Sequence, residues 1–513
     1  MARFKPYSYD QLKLVPVSFE RQILPGTFEA TLSRLIDEEI DLSVFEARYR
    51  NDEVGAPAYD PAILLKVILY AYARGVTSSR EIARLCRENV LFMALSADSA
   101  PHFTTIADFI ATLDREIVAV FRDVLLVCDE LGLIGREMFA VDGVKLPSNA
   151  SKEWSGTRGD FEKKIAKMER AVEHLVRRHR DADAAGDEEP LRVARGKQIE
   201  TLQAALEKVR GFLQRHADKV GPSGRVKKSN LTDNDSAKMK TSKGVIQGYD
   251  GVAVVDGQHQ IVVHAQAFGE AQEHALLVPM LEGTRATFRE LGLAEDVLAG
   301  AVVAADAGFH TDANVQYLDE THVDGYLADT LFRKRDPRFV TAERHKPEPV
   351  DDPARLFRPE DFRFDPKSLT CICPAGKRLY RSGQHNRPDG YRAVIFKGAK
   401  RDCGACPLRA RCLTHPERTL IRQVTLFLGR SPGKPETCSA RMKRKIDTDH
   451  GRYQYSRRLA VAEPVFANIC SSRRLRRFSL RGHRKINTQW LLYCLVHNIG
   501  KLQRYGTSEG RSA

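Results

Sequence analysis

Apolar positions in the first 130 residues recur at helical spacing. Leu32, Leu35, Ile36 and Ile40 open the pattern. The stretch PAILLKVILYAYARG begins at Pro61, where a missing N–H costs least, and stops at Gly75. Thr77, Ser78 and Ser79 offer N-caps to EIARLCREN, and HFTTIADFIATL and REIVAVFRDVLLVCDELGLI follow. Short helices with tight connections predict a helical domain over 1–130 of the helix-turn-helix type, whose second helix suits a major groove. The same periodicity is met by a helical domain that only packs.

The pattern changes at 131. EMFAVDGVKL predicts a buried strand that ends at an acid, and 131–149 reads as the first part of an α/β core. Phe161, Ile165, Met168, Val172 and Leu175 then recur at spacings of three and four. After the polar break DADAAGDEEP, Ile199, Leu202, Leu206, Val209 and Leu213 do the same. Two such amphipathic helices form an antiparallel hairpin. With the basic run Ser223–Lys243, read as a mobile loop, they make an insertion over 150–243. The core resumes over 244–335. YDGVAVVD and HQIVVHAQAF flank Gly257-Gln258 as a β-hairpin, and EHALLVPMLEGTRATFREL follows as a helix. VLAGAVVAADAGFH is an apolar strand ending at Asp306, followed by the helix TDANVQYLDE and the strand DGYLAD. This alternation predicts the α/β class, a mixed sheet with helices on its faces. Residues 336–436, rich in Pro, Arg and Cys, break the layout and read as a second insertion. Residues 437–505 are helical again and close with INTQWLLYCLVHNIGKLQRY.

Composition narrows the partners. The 513 residues leave room for about two to four domains. With 42% hydrophobic and 29% charged residues the chain can bury a core. Lys plus Arg number 81 against 67 for Asp plus Glu, a net charge of +14, which favours a polyanion because each cation near a phosphate releases a counterion. There is no apolar run of about 18 residues, so no membrane helix is expected. The opening MARFKPYSYDQLKLVPVSF carries no apolar export core, so a cytoplasmic location is expected. In a reducing compartment ten cysteines point to metal before disulfides.

The acids come next. Asp142 and Asp306 each close an apolar strand, and Glu463 lies in the helical stretch YQYSRRLAVAEPVFANIC. Two strand-end aspartates and a helical glutamate can converge on one rim of a sheet. Their hard oxygens suit Mg²⁺ or Mn²⁺, and two such ions about 3.5–4 Å apart would hold both oxygens of an in-line phosphoryl displacement. A single acid after a strand is usually a turn residue, and Asp250, Asp256 and Asp329 occupy comparable positions.

The cysteines cluster. TCICPAGKRLY holds Cys371 and Cys373, and RDCGACPLRARCL holds Cys403, Cys406 and Cys412, with the strand-like YRAVIFKG between them. The spacing predicts a zinc-ribbon-like insert with Zn²⁺ on Cys373, Cys403, Cys406 and Cys412, and with Cys371 and His415 as reserves. Apolar residues look sparse here, so the metal would replace a core. Cys86, Cys128 and Cys494 read as core residues, as do Phe478, Trp490 and Tyr493. His497-Asn498 carries no derivable role. SSRRLRRFSLRGHRK carries seven Lys or Arg and no acid, which makes it a solvated face or a strip for a DNA backbone.

At these motifs the chain resembles the DDE transposases of bacterial insertion sequences, in the branch with a helical N-terminal domain and a Cys-rich insert. FAVDGVKLPSNAS resembles the first-Asp motif, and VVAADAGFHTDANV the second, with its turn at Asp306, Gly308 and Phe309. Tyr455 and Arg458, then Glu463-Pro464-Val465-Phe466, resemble the Tyr-Arg-Glu-Lys signature. TDNDSAKMKTSKGVIQGYDGVAVVD and RRFSLRGHRKINTQWLLYCLVHNIGKL are also similar to that branch. The resemblance implies an RNase H-like (retroviral-integrase-like) sheet. It implies Asp142, Asp306 and Glu463 as catalytic ligands of two Mg²⁺ (or Mn²⁺) ions, and Tyr455 and Arg458 as DNA contacts. It further implies cleavage at the terminal inverted repeats of double-stranded DNA, strand transfer into target DNA, and a homodimer holding two ends near the bacterial nucleoid. Two departures stand out. Four residues separate Arg458 from Glu463 where the signature has three, and Cys470 occupies the Lys position. Arg473 or Arg474, a helical turn beyond, is expected to take over that phosphate contact. The alternatives are a domesticated DNA-binding protein without catalysis and a metal-dependent nuclease without strand transfer.

Overall fold

The computed structural model describes residues 16–49, 57–185, 189–221, 224–339, 341–342, 355–386, 391–430 and 436–506. Most of the opening stretch considered for an export signal lies outside them. The chain divides into two compact units, one of residues 1–327 with 452–513 and one of Ala328–Gly451.

The first unit begins with six helices, α1 (Phe28–Arg34), α2 (Pro61–Ala73), α3 (Ser79–Glu88), α4 (Val90–Leu95), α5 (Phe103–Thr112) and α6 (Arg115–Glu130). Their ends follow local chemistry. Asp60 caps α2 through the Ala62 N–H with Pro61 at the first position, and Asn89 caps α4. Strand β1 (Met138–Pro147) follows. It extends past Asp142, so that acid lies within the strand and not at its end as the sequence suggested. Two-residue strands β2 (Ser155–Gly156), β3 (Lys219–Val220), β4 (Val226–Lys227) and β5 (Ser229–Asn230) flank the expected hairpin of α7 (Arg158–Ala185) and α8 (Glu189–Arg215). Phe161, Met168, Leu206, Val209 and Phe212 form the hairpin's buried seam, with Phe161 edge-on to Phe212 at 5.6 Å.

The run read as a mobile loop corrects to structure. Residues 237–241 form edge strand β6 (Ala237–Thr241), paired antiparallel with β7 (Gly244–Asp256). Met239 is fully buried between the exposed Lys238 and Lys240, and this two-residue alternation went unread among the charges. Then come β8 (Val262–Phe268), α9 (Leu277–Glu290), β9 (Val302–Ala305), α10 (Asp312–Glu320) and β10 (Asp324–Leu327). The sheet order is β10-β9-β1-β7-β6, with β8 also on β7. β1 runs parallel to β9 and antiparallel to β7. The sheet is mixed, as expected.

The second unit holds α11 (Phe332–Arg335), the antiparallel meander β11 (Arg363–Asp365), β12 (Thr370–Ile372), β13 (Arg378–Asn386), β14 (Tyr391–Lys397) and β15 (Gln423–Arg430), and the short helices α12 (Lys400–Gly404), α13 (Arg409–Cys412) and α14 (Cys438–Ile446). The expectation that it lacks a core is corrected. Phe362, Cys371, Leu379, Val394, Phe396, Val424 and Leu426 bury one another, because alternate positions of β14 and β15 share one face.

The chain returns to the first unit along α15 (Asp449–Ala467), whose residues from Arg452 belong there, and ends in α16 (His483–Tyr505). α16 lies over β8 and touches α2, α5 and α6, which joins the helical region to the sheet. Trp490 is fully buried over Gly251, where any Cβ would meet its ring at 3.1 Å, and its Nε1–H donates to Val252 O at 3.0 Å. On the other face α9 sets Phe288 edge-on to Phe139 at 6.5 Å. His497 contacts Gln260 O, while Asn498 both donates to Val262 O and accepts from Val262 N–H, each at 2.9 Å. The pair without a role in the sequence is therefore a clamp on the β7–β8 turn.

Asn498→Ala leaves two buried backbone groups of β8 unpaired. It should destabilise the unit by about 2–4 kcal/mol, read as a lowered midpoint in chemical denaturation with an unchanged slope. A midpoint equal to wild type would contradict the clamp.

Candidate active site

The register of β1 and β9 sets the geometry. Val141 is opposite Ala305 in this parallel pair, so one further step along both chains sets Asp142 beside Asp306. β9 stops there and turns into Ala307–Phe309, capped by Asp306 Oδ1 accepting from Gly308 N–H at 2.8 Å. β1 runs on to Pro147, so its edge beyond Val141 has no strand on that side. The result is a notch at the carboxyl end of β9, the kind of place where open α/β sheets bind ligands.

Alternation along β1 sorts the charges by face. Asp142 shares its side with Val144 and Gly251, the side covered by Trp490. There α15 brings Arg458, whose Nη1 donates to Asp142 Oδ2 at 2.6 Å and whose guanidinium lies 5.7 Å from the Tyr455 ring centroid. Lys145 and its cross-strand partner Asp250 take the opposite face, that of Phe139 and α9. Lys145 Nζ pairs with Glu273 Oε1 at 2.8 Å, on the turn leading into α9. Asp250 is fully buried, and neither of its carboxylate oxygens has a hydrogen-bond partner. Gly143 is a glycine for this reason, since a Cβ there would meet Asp250 Oδ1 at 2.8 Å.

Burial dominates the electrostatics. It pushes Asp142 up to about 6 against the opposing pull of Arg458, with Asp306 adding to the rise. Asp306 is also raised, by burial and then by Glu273. Asp250 is raised well above the ordinary carboxylate range by burial and by the neighbouring Glu273 charge.

The structure brings Asp142, Asp306, Arg458 and Tyr455 together and leaves Glu463 out. Glu463 is exposed, whereas Asp142 and Arg458 are largely buried against each other. Five residues past the inward Arg458, it lies about 140° round the helix. Asp250 and Glu273 were missed as site residues. Lys145, three residues after Asp142, was the available signal, because a cation next to an acidic strand calls for further acids. Among the described residues no group of three or more His, Cys, Asp or Glu side chains is gathered to hold a metal. The division of the acids between two faces accounts for this on the sheet.

Arg473 does not replace the missing Lys by helical spacing. The helix gives way to a π-turn over Asn468–Ser472, and Arg473 turns inward to donate to Ala73 O at 2.9 Å, with Phe28 under its guanidinium. Arg474 is exposed and packs against Gly75. Arg477 donates to Ser148 O, and Arg481 to Asn149 O, so part of the basic run is bound to the loop after β1. Burial pushes the Cys470 thiol up to about 11. In the second unit Cys373, Cys403, Cys406 and Cys412 line a single cavity, while Cys371 lies in the apolar core and exposed His415 is beside Glu417.

Two families match the chain. Residues 17–112 match one described as a transposase domain (DUF772), and residues 372–503 match a transposase DDE domain. The second match includes Tyr455, Arg458 and Glu463, while Asp142 and Asp306 precede it. No curated protein matches the chain. Both matches, one near each end, are to transposase domains, and the one near the carboxyl end is a DDE domain.

The site makes stability depend on pH. Asp142 and Asp250 hold protons more tightly folded than unfolded, so their contribution is present below about pH 4 and is lost as pH rises through their folded values. In chelator, Asp250→Asn should flatten the decline in stability between about pH 5 and 8, by up to about 1.4 kcal/mol per pH unit. Parallel wild-type and variant curves would refute the buried charge.

Proposed function

We propose that this chain is a DNA transposase that cuts phosphodiester bonds at the ends of a mobile element and joins them to target DNA. The observation that carries the reading is that Asp142 and Asp306 each follow the last residues paired between β1 and β9, Val141 and Ala305, with Arg458 of the matched DDE segment bound to Asp142 and lying against Tyr455. A mixed sheet with its central acid flanked by helices supports the RNase H-like assignment.

The donor chemistry fits divalent metal. Asp142 and Asp306 offer hard oxygens whose charge burial disfavours, and Asp250 lies behind them without a partner. Asp142 and Asp306 would hold Mg²⁺ or Mn²⁺, which when bound activates water and stabilises charge at phosphorus. Glu463 stays in this set on its motif alone. Arg458, carrying its charge against Asp142, is placed to orient a phosphate beside the two aspartates, with Tyr455 supporting it. Positioning and charge complementarity thus carry the chemistry, and no residue forms a covalent intermediate. Binding of inverted repeats by the helical N-terminal region, assembly as a dimer on DNA, and action at the nucleoid belong to the same reading. Among the described residues no helix is long and apolar enough to cross a membrane.

The exposure of Glu463, with Cys470 at the Lys position, favours as second reading a DNA binder of transposase descent that does not cut. Asp142→Ala and Asp306→Ala should each lower cleavage of an end-containing duplex by at least about 10³-fold with binding retained, and Glu463→Ala should match them if it serves as third ligand. Wild-type rates in either aspartate variant would remove the catalytic assignment. Absence of both cutting and strand transfer by the wild type in Mg²⁺ would support the second reading, and cutting alone would indicate a nuclease.

A structural Zn²⁺ on Cys373, Cys403, Cys406 and Cys412 rests on their spacing in the sequence and on the one cavity they line, since among the described residues they form no gathered ligand cluster. After exhaustive dialysis the protein should retain about one equivalent of zinc, and Cys406→Ser should lose it. Less than about half an equivalent in the wild type would count against the site.

A further inference from the structure

A groove of about 1020 Å³ runs along the edge of the sheet in the first unit. Lys238 and Lys240 of β6 face it from one side, and Lys219, Lys227 and Lys228, in or beside the β3–β4 hairpin, from another. Against these five cations the lining holds two acids, Asp235 and Glu270. Lys227 pairs with Glu270 at 2.6 Å, and Lys219 donates to the Asn234 carbonyl. Lys228, Lys238 and Lys240 are exposed and form no ion pair among the described residues.

Lysines on an edge strand often serve to prevent pairing with another chain. That explains β6 but not the three lysines of a separate hairpin turned to the same groove. Open along one side and lined by five lysines, the groove is not the enclosed pocket that holds a small molecule. Cations from two elements along one channel match a chain of phosphates.

The groove also has an end. Its wall includes Gln272, His274 and Ala275, and the residue among them, Glu273, turns to Lys145 on the acidic side. His274 Nδ1 contacts Gly308 O at 2.8 Å, two residues after Asp306. One turn of chain therefore separates the basic channel from the acids.

We propose that this groove binds the phosphate backbone of duplex DNA and leads it to Asp142 and Asp306 at the Glu273 turn. The proposal rests on the transposase reading and specifies where its substrate lies. The backbone contacts are sequence-independent and set position, leaving readout of the ends to other surfaces.

The test compares the full-length wild type with the triple variant Lys228→Gln, Lys238→Gln, Lys240→Gln, by anisotropy of a labelled end-containing duplex in chelator. With salt raised from about 50 to 200 mM, the variant's slope of log affinity against log salt should be shallower by about 2–3, and its affinity at the low end at least about tenfold weaker. The matching Lys→Arg triple should restore both. An unchanged slope and affinity in a folded Gln triple overturns the groove and leaves the transposase reading intact. Failure of the Arg triple to restore binding overturns it too, since charge would then not be the cause. Wild type that binds no duplex overturns both groove and reading.

Discussion

The guanidinium of Arg458 and the carboxylate of Asp142 meet from positions 316 residues apart, on a central strand and a late helix, and both are largely removed from water. Breaking such a pair by removing one partner costs about 3–5 kcal/mol, because the other charge is left buried. This contact sets which face of α15 looks at the sheet. Pro464 adds a second constraint. It has no N–H for the Ala460 carbonyl, and Gln260 Nε2 donates to that carbonyl at 2.8 Å. Gln260 also accepts from Lys501 and His497, so the β7–β8 turn holds α15 and α16 together. With Phe466 stacked 6.1 Å from Trp490, the helix is fixed at three levels. The exposure of Glu463 follows from these contacts, since a helix that presents Arg458 inward cannot also present a residue five positions later.

The sheet supplies the complementary asymmetry. β9 is four residues long and β1 ten, so the parallel pairing ends where the acids begin. The pleat then divides the charged groups, with Asp142 and Arg458 on one side and Asp250, Lys145 and Glu273 on the other. Asp306, at the end of the shorter strand, is influenced electrostatically by members of both sets. Gly143 and Gly308 are the permissive positions in this arrangement, each leaving space that a neighbouring carboxylate fills.

Much of this was legible in the chain. The apolar runs before Asp142 and Asp306 marked two strands, and the order of motifs carried the family. The Tyr-Arg-Glu-Lys signature singled out Arg458 over Arg457, but not its ion pair with Asp142, because that depends on tertiary contacts. Asp250 looked like an ordinary strand acid, since cross-strand pairing with Lys145 is invisible without the register. β6 was hidden because its one buried position, Met239, is surrounded by lysines. The core of the second unit was underestimated because its apolar residues are dispersed over five strands and adjoin only once the meander forms. Arg473 was expected to continue a helix, but the π-turn changed the spacing on which that argument relied.

Charge balance connects the fold to its chemistry. Asp142, Asp306, Asp250 and Glu273 carry four negative charges when ionised, and Arg458 and Lys145 supply two positive ones. Two charges remain uncompensated in a region where burial raises the cost of each. Protons can meet that deficit, which is why the aspartates are shifted upward. A divalent cation can meet it at neutral pH without protonating the ligands. Arg458 would then be less strongly held by Asp142 and more available to a phosphate. The same deficit that strains the folded protein is therefore what makes the notch receptive to a cation and, through Arg458, to the DNA backbone.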